Sequence, residues 1–85
     1  MAEILVGQVT HHFGHLGVAA VALIGELRVG DTIHVAGHTS DFVQPLDSIE
    51  IEHQRVQSAG AGQSVGIRMM QHARVHDRVF KVVPA

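Results

Sequence analysis

The stretch Gly25-Glu26-Leu27-Arg28-Val29-Gly30-Asp31-Thr32-Ile33-His34-Val35-Ala36-Gly37 decides how the chain is read. Val29-Gly30-Asp31 is a turn: glycine accepts the positive φ that the third position of a type II turn requires, and an aspartate can bond its carboxylate back to nearby amides. Ile33, His34 and Val35 then alternate as a strand with one buried face would. The pattern returns near the C-terminus, where Val75-His76-Asp77-Arg78-Val79-Phe80-Lys81-Val82 echoes it with His76 in place of Gly30. Two similar turns therefore feed two similar strands, and His76 is expected to tolerate positive φ at some cost.

Working outward, Glu3 to Phe13 is a β-rich run whose alternation slips at Gly7-Gln8, which predicts a bulge or bend. Val18 to Ile24 is apolar on both faces and reads as a central strand between glycines. Phe42 to Gln54 is the longest strand candidate, with Pro45 confining its first part to an edge and Glu50 and Glu52 alternating outward. Ser58 to Gln63 reads as a loop, Ser64 to Met70 and Arg78 to Val83 as strands. No stretch longer than a turn has a helical period with caps. Six short strands predict an all-β domain, a small closed barrel spanning residues 1–85, because closure removes exposed edges. Val21, Leu23, Ile33, Val35, Ile49, Ile51, Val65, Ile67 and Val79 are its expected core.

Composition narrows the function. Eighty-five residues make one domain, and a chain of this size buries only about 60 to 65% of its unfolded surface. The absence of cysteine excludes disulfides and thiolate metal sites and points to a reducing, cytoplasmic setting. The longest apolar run is too short for a membrane span of about 20 residues, and no leader is expected. The formal charge is −2, and the six basic residues are scattered, so a duplex-binding footprint is missing. That charge becomes +6 once all eight histidines are protonated, so the surface potential depends strongly on pH.

The chemical motifs are sparse. His11-His12-x-x-His15 is the densest set of metal-capable side chains, but on a strand His11 and His12 point to opposite faces and no acid completes a site. His72 and His76 have helical ligand spacing within a loop. Gly60-x-Gly62-x-x-x-Gly66 misses the dinucleotide fingerprint by one residue and precedes a strand rather than a helix. Glu50 and Glu52 read as a solvated face rather than an acid and base pair. Of Met69-Met70, one belongs to the core and one to the surface. Neither catalytic residues, cofactor nor metal is expected.

Gly17-Val18-Ala19-Ala20-Val21, the Gly25 to Ile33 segment, Ile49-Glu50, Ala59 with Gly62, Val65-Gly66-Ile67 and Asp77-Arg78-Val79 together resemble the second domain of translational GTPases such as elongation factor Tu. The resemblance runs from about Val6 to Val82, and it is closer still to short stand-alone proteins labelled translation elongation factor-like. It implies a six-stranded Greek-key β-barrel. The GTPase domain is missing: there is no phosphate-binding loop, and the chain contains no Asn for a guanine-reading motif, so GTP hydrolysis is excluded. Phe13 matches a family Phe, but His11-His12 stand where the family has acids that help hold the aminoacyl end of tRNA. The resemblance implies a non-catalytic module contacting tRNA, rRNA or a translation protein through an edge of His11, His12, Phe13 and His15 with Arg55, Arg68, Arg74 and Arg78. A second reading is an accessory domain working with a separate enzyme, since similar barrels are appended to U32 peptidases. Histidine-mediated metal sensing is a third.

Overall fold

The repeated turns organise the fold. The structure, a computed structural model, describes residues 2–84. Its strands are β1 (Ala2–Phe13), β2 (Val18–Leu23), β3 (Leu27–Arg28), β4 (Thr32–Ala36), β5 (Asp41–Pro45), β6 (Ile49–Ile51), β7 (Gln54–Val56), β8 (Ser58–Ala59), β9 (Ser64–Arg68) and β10 (Arg78–Val83). Eight form one antiparallel sheet in the order β5-β4-β10-β1-β2-β9-β6-β7, and β3 pairs with β8. The all-β expectation holds, but the six-stranded closed barrel does not. Among the described residues there are ten strands, and the terminal strands β5 and β7 are not paired to each other.

Of the four extra strands, two come from Phe42 to Gln54 being split into β5, β6 and β7 and two from the β3–β8 pair. Pro45 has no amide to donate, and the next residue, Leu46, turns inward and is 1% exposed. The chain then reverses again at Glu52-His53, so Glu52 does not share an outward strand face with Glu50. Ser58-Ala59, expected in a loop, pairs instead with Leu27-Arg28.

Arg28–Asp31, Gly60–Gln63 and Arg74–Asp77 are three copies of one turn. In each, the fourth residue's amide donates to the first residue's carbonyl, at 3.0, 3.2 and 3.0 Å respectively. The fourth side chain accepts from the first residue's amide, at 3.0 Å for Asp31, 2.7 Å for Gln63 and 2.8 Å for Asp77. The third residue has positive φ in every copy: 100° at Gly30, 89° at Gly62 and 79° at His76. Its amide donates to the carbonyl of a buried partner, Leu46, Leu23 or Val9, whose own amide donates to the fourth residue's carbonyl, all at 2.8 to 2.9 Å. Each turn thus satisfies its own polar groups, grips a distant core residue and launches β4, β9 or β10.

β1 links the two halves of the sheet by pairing with both β10 and β2. Its register slips between Leu5 and Gly7 against β10, and again between Val9 and His11 against β2. The bulge expected at Gly7-Gln8 is therefore real and lies one position earlier. A side chain at Gly7 would run into the Ala22 carbonyl and the Val21 side chain.

Curvature does what closure does not. Gln44, on edge strand β5 and 3% exposed, donates through Nε2 to the Arg68 carbonyl (2.9 Å) and accepts at Oε1 from the Met70 amide (2.7 Å). The sheet thereby wraps one core in which Val6, Val9, Leu27, Phe42, Leu46 and Met69 join the expected residues. Ile51 alone of the expected set is only half-buried, because the Glu52-His53 reversal follows directly. Met69 is buried and Met70 exposed, as expected.

The third turn generates a pair of opposite expectations. Asp77 is 3% exposed, so Asp77→Ala strands the Arg74 amide and should destabilise by about 1 to 3 kcal/mol. His76→Gly relieves a non-glycine positive φ and should stabilise by up to about 1 kcal/mol. Chemical unfolding of both variants checks the signs; equal and opposite departures from these signs would show that the turn is not organised by these bonds.

Candidate functional site

On the outer face of the sheet, one row of cross-strand partners reads His11, Ala20, Gly66, Glu50, Arg55 across β1, β2, β9, β6 and β7. The two smallest residues fall in the middle, so the row sinks between larger neighbours. The result is an open cleft of about 260 Å³. Its floor is Ala20, Ser64 and Gly66; Phe13, Leu16 and Val18 form an apolar wall, and Glu50, Glu52 and His53 form the other. Phe13 and Leu16 are 46% and 64% exposed.

The polar wall is held by a strained reversal. Ile51 pairs with Gln54, leaving Glu52 and His53 as a two-residue hairpin loop with φ of 51° and 66°. Positive φ at both central positions is the geometry that Asn-Gly normally supplies, and a Glu-His pair adopts it only at a cost. This loop went unrecognised in the sequence because neither residue carries a turn signal. Glu50 and Glu52 form no ion pair among the described residues, where the salt bridges are those of His34.

The expected binding edge is divided by this geometry. His11 and Phe13 lie on one face with ring centroids 4.4 Å apart, whereas His12 points away and meets His72 edge-on at 4.1 Å. Phe13 pairs with Val18, and Val18 with Arg68, so these border the cleft as Arg55 does. His15 is exposed in the β1–β2 loop. Arg74 lies beside His38 and His76 in a separate groove, and Arg78 sits between Ala36 and Gln8 on β10. His11, Phe13, Arg55 and Arg68 are thus neighbours, while His12, Arg74 and Arg78 are not part of that surface. No group of three metal-capable side chains gathers among the described residues.

Two histidines titrate away from their ordinary value. Burial holds His12 low, with His72, His11 and Arg74 adding repulsion; its ring nitrogens have no hydrogen-bond partner. His34 on β4 is raised by its hydrogen bond to Glu3, at 2.9 Å from Nδ1, and then by Asp41 at Nε2. No helix among the described residues is long and apolar enough to cross a membrane.

No protein-family model matches the chain. A solved structure from Geobacillus thermoleovorans, the C-terminal domain of a protein described as a U32 peptidase, superposes with a TM-score of 0.88. It is 20% identical and covers 94% of this chain and 93% of that domain. The fold is that of a U32 peptidase C-terminal domain. Two curated relatives agree: an uncharacterized protease of Methanocaldococcus jannaschii, 33% identical over 79 residues, and a collagenase of Porphyromonas gingivalis, 33% identical over 81 residues. They match 92% and 93% of this chain, yet the chain spans only 19% and 20% of their lengths.

These findings overturn the identification with elongation factor Tu domain 2 and translation elongation factor-like proteins. The relatives are named as proteases, which points away from tRNA, rRNA or translation proteins as partners. The misleading residues were framework ones. Gly30-Asp31, Asp77-Arg78 and the alternating Val and Ile positions build turns and core in this fold, and they carry no ligand chemistry of their own.

The strained loop and His34 each predict a measurable outcome. Replacing Glu52-His53 by Asn-Gly should stabilise the domain by about 1 to 2 kcal/mol in thermal or chemical unfolding, and a lowered melting temperature would contradict the hairpin assignment. His34 binds its proton more tightly folded than unfolded, so its stabilisation is complete below about pH 6.5 and fades as pH rises through the raised folded value. Wild type should therefore lose more stability than His34→Gln between about pH 6 and about pH 8.5 in urea unfolding.

Proposed function

We propose that the chain is a non-catalytic accessory domain that works with a separate U32-type peptidase. The observation that carries this reading is the mismatch of coverage. Nine-tenths of the chain aligns with about a fifth of each protease relative, and the matching solved structure is a C-terminal domain by itself.

The cleft supports binding over chemistry. Ser64, His53, Glu50 and Glu52 line it together, which invites comparison with a nucleophile, base and orienting acid. Such a triad needs the base bonded to both partners. The histidine side-chain hydrogen bonds among the described residues are instead those of His34, on another face. What the cleft offers is an apolar wall facing two carboxylates, a pattern suited to holding a polypeptide segment.

The test uses a U32-type peptidase truncated before its C-terminal domain. The purified chain alone should cleave no peptide, and it should associate with the truncated enzyme with a dissociation constant in the micromolar range or tighter, about −8 kcal/mol. Added in excess, it should raise the truncated enzyme's turnover of a protein substrate. Hydrolysis by the chain alone, or no association by calorimetry together with unchanged turnover, would remove this reading.

A further inference from the structure

We propose that the cleft between the β1–β2 loop and the Glu52-His53 hairpin is a recognition site for an extended polypeptide segment bearing an Arg or Lys beside an aliphatic side chain. The inference rests on the accessory-domain reading and identifies what the domain would hold for its peptidase.

Three independent observations converge on this occupant. The apolar wall is uncovered: Phe13 and Leu16 stay 46% and 64% exposed, although burying large apolar side chains is favourable. The facing wall carries Glu50 and Glu52, and although Arg55 is the cross-strand partner of Glu50, neither carboxylate forms an ion pair among the described residues, which leaves them to complement a cation. The floor is level and shallow because Ala20 and Gly66 oppose each other, and a Cβ built on Gly66 would make only ordinary contacts with Val18 and Glu50. Backbone can therefore pass close above the sheet while one side chain turns toward each wall.

The cleft fits a segment of chain. At about 260 Å³ it lies just below the roughly 300 to 1,000 Å³ of small-ligand pockets, room for one or two side chains. A site this small suits weak, repeated capture of a chain being fed to an enzyme. Arginine is the better fit of the two cations, because its planar group bonds a carboxylate in two places while its stem lies along apolar surface.

The experiment titrates the isotope-labelled full chain with three capped hexapeptides, Gly-Gly-Leu-Arg-Gly-Gly, its Leu-Glu counterpart and its Ala-Ala counterpart, followed by amide chemical shifts. The Leu-Arg peptide should bind at least tenfold more tightly than either other peptide, and the shifts should centre on Phe13, Ala20, Glu50 and Gly66. The double variant Glu50→Gln with Glu52→Gln should lose that preference while keeping its melting temperature. Leu16→Ser should weaken the Leu-Arg peptide, whereas Val43→Ser, an exposed apolar residue on edge strand β5, should leave it unchanged. Equal affinity for the Leu-Arg and Leu-Glu peptides, shifts centred elsewhere, or an unaffected double variant would overturn the proposal.

The truncated peptidase separates the two readings. Peptide binding in the cleft without association to the enzyme would defeat the accessory reading and leave the cleft standing. Association that survives in the double variant, with no peptide preference in wild type, would defeat the cleft alone. Association that the double variant loses, again without peptide preference, would make this face a docking surface for the enzyme and overturn the proposal.

Discussion

The reciprocal bond between the first and fourth residues of a turn, repeated at Arg28–Asp31, Gly60–Gln63 and Arg74–Asp77, is the constraint on which the sheet depends. A sheet built from strands of three to six residues, apart from β1, has few ladder bonds per strand with which to fix its register. The turns supply that register from outside. Each binds a core residue in a separate part of the chain, Leu46, Leu23 or Val9, through two main-chain bonds, so the position of one strand is tied to another independently of the ladder between them. The strands that follow then need only keep their apolar side inward.

Two of these turns are legible in the sequence because Asp is a recognisable acceptor and the Val-x-Asp spacing repeats. The third is hidden, since Gln63 performs the same role with a longer side chain and Gly62 sits in a segment that otherwise reads as loose. The core reads correctly wherever apolar residues alternate, from Val21 to Val79, and fails at Ile51, where a reversal without Gly, Asn or Pro follows. Closure was beyond the sequence for a different reason. Whether an antiparallel sheet joins its own edges depends on curvature and on tertiary contacts such as Gln44 to Arg68 and Met70, and a buried glutamine on a short strand does not announce its partners.

The same division explains why the family resemblance misled about identity and partners while succeeding about class. Residues that shape turns and fill cores are reused wherever a small curved sheet is built, so their agreement reports architecture. The cleft is made of residues with almost no pattern value: two small ones on the outer face, an exposed Phe at the end of β1 and an exposed Leu in the loop after it, and Glu and His in a reversal. His11 and Phe13 share a face, because side chains two apart on a strand do, but His12 between them necessarily leaves it for His72.

The position of strain in the molecule bears on what the cleft is for. His76 and the Glu52-His53 pair are the non-glycine residues with positive φ among those described. His76 is compensated on the spot, since its amide donates to the Val9 carbonyl and its neighbour's carboxylate accepts from the Arg74 amide. The Glu52-His53 loop has no such compensation among the described side-chain bonds, and it lies next to an edge strand of only three residues, β7. A looser or glycine-containing loop would close the hairpin more cheaply, but it would let the carboxylate wander or remove it. A relaxed turn would not hold Glu52 opposite the uncovered apolar wall, so the strain at Glu52-His53 falls at the cleft proposed above as the peptide site.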